Sequence, residues 1–188
     1  MDIETAKIED STKENEFSPE FIQRKLYFLL DQLKSMHAKI PEYYQIRISY
    51  ELLTELANCL VYDTIYQIVL GLVEIQHLTE KHLLQLRETQ QKKFKEEMDD
   101  WKKVTADKEE LEHIVKITSK RHAQILADTD KNIISLLDEK VREQQLTLHN
   151  AGVPGFYVTT DPKEITIQIY LLDFILRLSA LSFKPNKK

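Results

Sequence analysis

Only 3 of the 188 residues are glycine and 5 are proline, against usual shares of about 7% and 5%. A fold of many short strands needs turn residues every ~8–12 positions. The scarcity therefore argues against a β-sandwich or barrel, and it removes the glycine-rich phosphate loop. One cysteine, Cys59, can neither close an internal disulfide nor build a cysteine-based zinc site. It reads as a small apolar residue in a reduced, intracellular protein. Met1 to Asp10 has no apolar run, so no signal peptide is expected. No H-E-x-x-H pattern occurs, and no Ser or Cys is flanked by elbow glycines.

Positive charge is also in short supply. The chain carries a net charge of −5. Residues 1–16 hold six acids (Asp2, Glu4, Glu9, Asp10, Glu14, Glu16) against Lys7 and Lys13. Such a segment cannot bury enough surface to offset chain entropy, so 1–16 is expected to be a disordered acidic tail. The nearly neutral remainder is a poor match for phosphate, and no direct nucleic-acid binding is expected. Lys184, Lys187 and Lys188 make 183–188 a short basic tail.

What the chain does have is helical periodicity. Ser18, Pro19 and Glu20 supply a cap, a first-turn proline and an acid at the positive helix end. Ile22, Leu26, Leu29, Leu33, Met36 and Ile40 then recur at heptad spacing until Pro41 stops the helix. A second helix starts near Ser49 with Leu52, Leu53, Leu56, Ala57, Leu60 and Val61 on one face. Asp63 and Thr64 mark a break and a new cap. Beyond them Ile65, Ile68, Leu72, Ile75, Thr79, His82 and Leu86 form a second heptad seam. Gly71 within it costs about 1 kcal/mol relative to Ala, and close packing against another backbone is the expected compensation.

No Gly or Pro occurs from Leu72 to Ala151, a stretch that only long helices tolerate. A break is expected at Thr105–Asp107, where Asp107 can cap and Glu110 completes a capping box. The two arms, 64–104 and 107–149, would each be about 60 Å long. Arms of equal length predict an antiparallel hairpin, and one continuous rod is the alternative. In the second arm Leu126, Asp130, Ile133, Leu137, Val141, Gln144 and Leu148 recur every ~3.7 residues. Asp130 and Gln144 interrupt that stripe, as register-fixing polar residues do.

At Ala151 the pattern changes. Gly152, Val153, Pro154 and Gly155 turn the chain, and Phe156 to Thr160 follow as an extended run expected to lie against the helices. Asp161, Pro162 and Glu164 start a last helix. From Ile165 to Leu181, 12 of 17 residues are apolar, with only Asp173 and Arg177 charged. That is too short and too charged to span a bilayer, so no membrane insertion is expected. A buried helix is the reading, and Leu172 within it should not tolerate Asp.

Of the six histidines, His82 and His122 fall on seam positions of the two arms, where packing is the ordinary role. Glu74 and His77 have the spacing of half a carboxylate di-iron site; the other pair at that spacing, Glu110 and His113, falls in a mostly charged stretch and is discounted. No catalytic, metal-binding or cofactor-binding residue is assigned, and no cofactor is expected.

Two stretches carry a resemblance. One runs from Arg47-Ile-Ser-Tyr-Glu-Leu-Leu to EIQHLTEK, Glu74 to Lys81; the other is DEKVREQQLTLHNAGVPGFYVTTDP, Asp138 to Pro162. Together they resemble the family of the insect gonadal protein and the vertebrate DiGeorge-syndrome critical-region proteins, over roughly 45–103 and 125–178. The resemblance implies helical, coiled-coil-containing intracellular proteins without catalytic activity. It also implies a link to development, in insect gonads and in vertebrate neural-crest migration, with vertebrate members associated with the nucleus.

The sequence is therefore read as an all-α protein. A helical bundle head (17–75 with 161–182) carries a long coiled-coil-like helical hairpin or rod (76–149), with 150–160 connecting and 17–182 forming one domain. The expected function is that of a non-enzymatic adaptor or scaffold acting through protein–protein contact in the nucleus or cytoplasm, with self-association. The alternative is a small helical-bundle enzyme or metal-binding protein. Candidate contact residues are Gln76, His77, Glu80, Lys81, Phe94, Trp101, Phe156 and Tyr157.

Overall fold

A computed structural model describes residues 18–181, and the expected acidic and basic tails lie outside that range. Helices make up 84% of the structure and no strand occurs among the described residues, so the chain is all-α. In chain order the helices are α1 Pro19–His37, α2 Glu42–Arg47, α3 Tyr50–Cys59, α4 Thr64–Val104, α5 Lys108–Asn150 and α6 Pro162–Ser179.

Local chemistry accounts for most boundaries. Ser18 Oγ accepts from Phe21 N, Ser49 Oγ from Leu52 N and Asp161 from Lys163 N, so three helices begin on side-chain caps. α1 ends at His37, short of Pro41. Ile40 therefore lies in a turn, where the Gln45 side-chain amide donates to its carbonyl at 2.7 Å. The short α2 has no apolar period and was not anticipated. α5 ends in a Schellman motif: Gly152 N donates to His149 O at 2.9 Å and Val153 N to Leu148 O at 3.0 Å. Val153 and Leu148, the pair that such a motif brings together, are both buried.

The described chain divides into two compact units, one comprising residues up to Leu72 and those from Gln144 onward, the other Val73–Glu143. In the first, α1 packs on α3 and α6. Its core includes Leu33, Leu56, Leu60, Val69, Leu148, Leu171, Phe174 and Ile175, all essentially inaccessible. On α6 Leu171 is fully buried, as are Phe174 and Ile175, while Leu172 beside it is only half-buried. Cys59 is half-buried with its Sγ 3.9 Å from Gly152 O, and burial pushes its thiol pKa up.

Gly71 corrects an expectation. A Cβ built there meets nothing within 4 Å, so no close-packed backbone compensates for it. Gly71→Ala should then raise stability by about 0.5–1 kcal/mol, read as a higher urea midpoint with an unchanged slope. A destabilised variant would mean that this helical turn needs the glycine after all.

The second unit is an antiparallel pair of α4 and α5 segments. The helices break at residues 105–107, and contacts between them decide for the hairpin over the rod. Arg87 Nε donates to Asp130 Oδ1 at 2.7 Å, and His122 Nε2 lies 2.8 Å from Glu97 Oε2. No single described helix is long and apolar enough to cross a membrane. The one pair that passes jointly, α3 with α4, is bent by 95° and puts Leu53, Leu56, Ile65 and Val69 into the core.

Candidate protein-interaction surfaces

The segment Ala151–Thr160, part of the first unit, is held against its helices by one buried ring and a set of side-chain amides. Phe156 is 4% exposed and joins the core. An extended segment without a strand partner still has to satisfy its backbone, and here glutamines supply the groups. Gln145 Nε2 donates to Thr159 O and to Gln168 Oε1, while Gln145 Oε1 accepts from Thr159 N. Gln168 Nε2 donates to Tyr157 O at 2.9 Å. The His149 ring contacts Phe156 O at 3.0 Å. Both glutamines are buried, so each is held by contacts that an apolar residue could not make.

Tyr157 behaves differently from Phe156. Its ring is exposed, and its hydroxyl donates to Glu164 at 2.6 Å. Glu164 in turn is ion-paired with Arg47. The Glu164 carboxylate raises the Tyr157 pKa, while the Arg47 side chain lowers that of Tyr43. Sequence reasoning singled out Phe156 and Tyr157 together. The structure assigns the first to the core and the second to a surface cluster with Tyr43, Arg47, Lys163 and Glu164.

In the arms, Gln76, His77, Glu80 and Lys81 all lie on α4. Gln76 donates to Glu80 one turn on, while His77 and Lys81 are exposed. Glu74 and His77 are both exposed, and among the described residues no group of three or more His, Cys, Asp or Glu is placed to hold a metal. Phe94 stacks on His122 of the opposing arm with ring centroids 4.0 Å apart. Trp101 and Val104 instead stand exposed near the turn, beside Lys93, Glu96 and Asp100.

The heptad seam read on α4 is buried at its start, at Ile65, but not along the arm. Ile75, His82 and Leu86 are exposed, whereas Leu83 and Phe94 turn toward α5. Leu78 is 61% exposed and, with His82, Leu136 and Glu139, lines an open groove of about 420 Å³. Periodicity reveals that a stripe exists; it does not reveal which of two stripes on one helix meets the neighbouring helix. Asp130, read as a register residue, fills that role through its two hydrogen bonds to Arg87.

Acid should loosen this pairing. His122 and Arg121 hold the Glu97 carboxyl below the usual carboxylate range, and Arg87 does the same for Asp130. A pKa depressed on folding contributes stability above the unfolded value, near 4, that is lost as pH falls through the folded value. Emission from Trp101, the only tryptophan, should stay level from pH 7 to about 5 and shift below about 4. In Glu97→Gln/Asp130→Asn that acid shift should shrink; an identical shift would remove these two groups as its cause.

Comparison with known proteins sets these surfaces in context. A family model described as the DiGeorge syndrome critical region 6 (DGCR6) protein matches residues 2–187. Gonadal protein gdl of Drosophila melanogaster is 52% identical over 170 residues, 90% of this chain and 88% of its own length. Protein DGCR6 of Gallus gallus is 35% identical over 182 residues, 88% of this chain and 89% of its own length. No solved structure matches the chain.

Proposed function

The chain belongs to the DiGeorge syndrome critical region 6 protein family, and from that premise we propose that it acts without catalysis as a helical adaptor in development. It binds other proteins through its arms, self-association included, and works inside the cell, in nucleus, cytoplasm or both. Nucleic acid and the membrane interior are not its targets. The developmental setting draws support from the name of the Drosophila relative, a gonadal protein.

The observation that carries the reading is the exposure of large apolar side chains on the arms. Val104 is 78% exposed and Trp101 38%, and both are ringed by charge. An exposed tryptophan inside a charged rim is the composition of a binding hot spot, where truncation to alanine commonly costs about 2 kcal/mol or more of binding energy. Trp101 and Val104 lie near the turn, so they can be truncated without touching the first unit's core. Phe94 is a poor test site, because its stack on His122 makes it part of the pairing of the arms.

The test is affinity purification from cells with the wild-type chain and with Trp101→Ala/Val104→Ala. The reading expects specific co-purifying proteins that the variant loses while circular dichroism and thermal midpoint stay unchanged. If every co-purifying protein persists in the variant, the arms are not the contact surface. The metal-binding alternative rests on Glu74 and His77 alone, and stoichiometric iron or zinc in the purified protein would revive it.

A further inference from the structure

We propose that a second copy of this chain lies antiparallel along the outward groove of the arms, closing the two-helix unit into a four-helix bundle. The inference rests on the reading of the arms as a contact surface and names the occupant of the groove. It starts from where the apolar residues sit. On α4, Leu83 and Phe94 turn toward α5, while Ile75 and Leu86 are exposed. Each inward residue is eight positions from its outward counterpart, which is about 80° round a helix. A helix in a two-helix pair needs one apolar face. A helix in a four-helix bundle has two neighbours about a quarter-turn apart and needs both. On α5, Leu136 and Ile125 are eleven residues apart, on one line along the helix, and both are exposed.

Charge selects the occupant and its direction. Lys93 follows Leu86 by seven residues on the same stripe of α4, and Glu139 follows Leu136 by three on α5. Neither has an ion-pair partner among the described residues, in contrast to Glu143, which pairs with Lys140. The Arg87–Asp130 and Glu97–His122 contacts set the levels of the two helices. They put Glu139 beside Leu78, with which it lines the groove, and Lys93 beside Ile125. Leu86 falls midway between those two levels. A two-fold axis through Leu86 and perpendicular to the arms therefore brings Glu139 of each copy level with Lys93 of the other, and Leu86 against its own mate. A parallel pairing would set Glu139 against Glu139 and Lys93 against Lys93, which is repulsive.

The area suffices. The stretch from Ile75 to Glu96 is about 30 Å long and two helices, about 20 Å, wide. Two copies would bury on the order of 1,200 Å², at the lower end of the ~1,200–2,000 Å² found for specific interfaces.

Sedimentation equilibrium on the full chain tests this. The wild type should be a dimer. Glu139→Lys alone and Lys93→Glu alone should each raise the dimer Kd by at least about tenfold, and the Glu139→Lys/Lys93→Glu double variant should recover most of it. Leu86→Asp, on an exposed position, should give a monomer of unchanged helicity. A monomeric wild type, a dimer indifferent to Leu86→Asp, or a double variant weaker than either single one would overturn the proposal. A monomer that still loses its co-purifying proteins on Trp101→Ala/Val104→Ala would overturn only this inference and leave the adaptor reading standing.

Discussion

Truncating Phe156 to alanine lowers the stability of the folded chain by about 3–5 kcal/mol, the range for a buried phenylalanine whose cavity cannot collapse. Among the described residues the ring is one of two buried phenylalanines of the core, with Phe174. The backbone on either side of it is fixed: its N–H donates to Val153 O, its carbonyl meets His149, and the next carbonyl accepts from Gln168. A segment pinned on both sides has little freedom to move in and fill the void. Tyr157→Phe is the matched comparison, because its ring is already exposed and only the hydroxyl contact to Glu164 is lost. That change should cost about 1 kcal/mol or less. Urea titration followed by helical circular dichroism measures both. A Phe156→Ala cost near that of Tyr157→Phe would mean that the segment is not docked as described.

Gly155→Ala should cost about 2–5 kcal/mol, from two sources that a neighbouring glycine separates. Gly155 has φ +81°, and a Cβ built on it would lie 2.6 Å from Leu171 Cδ1 and 3.4 Å from Leu52 Cδ1. The left-handed backbone costs an L-residue roughly 1–2 kcal/mol. Forcing a methyl group against a fully buried leucine adds about 1–3 kcal/mol of overpacking. Gly152 has φ +75° but nothing within 4 Å of its Cβ position, so Gly152→Ala carries the backbone cost alone. The difference between the two variants isolates the contact with Leu171. Equal losses would show that Leu171 moves aside freely.

The parts of this fold that could be read from sequence are those set by local chemistry. Ser18, Ser49 and Asp161 cap helices because their oxygens reach the free N–H groups of the next turn, a matter of two or three residues. The break before Lys108 was legible for the same reason: Asp107 accepts from Glu109 N. The hairpin followed from two arms of nearly equal length with no Gly or Pro between Leu72 and Ala151. What escaped depends on tertiary neighbours. Gly71 looked like a close-packing position, yet the space beside it is open. The polar residues expected in the α5 stripe were Asp130 and Gln144, whereas the glutamine buried there is Gln145. It turns inward because Gln168 and Thr159 offer it hydrogen bonds, and nothing in the pattern of α5 announces them. Among the candidate contact residues, Trp101 and Tyr157 are exposed as a contact role requires. Phe156 and Phe94 are spent on packing, and a large aromatic residue in a sequence does not declare which use it serves.

The interleaving of the two units bears on how the chain reaches its fold. The core draws on residues before Leu72 and after Gln144, so its halves are separated by about seventy residues of polypeptide. Closing so long a loop as flexible chain is entropically costly, and contacts of such sequence separation slow folding. Helix formation and hairpin closure in 73–143 need only nearby residues, and helices form on a microsecond timescale. Once that hairpin zips from its turn at 105–107, the Arg87–Asp130 pair and its neighbours draw Val73 and Glu143 together. The long loop then behaves as a short one. In this order of events the arms act first as a folding device, and weakening their pairing should delay core assembly even where the final stability of the core is unchanged.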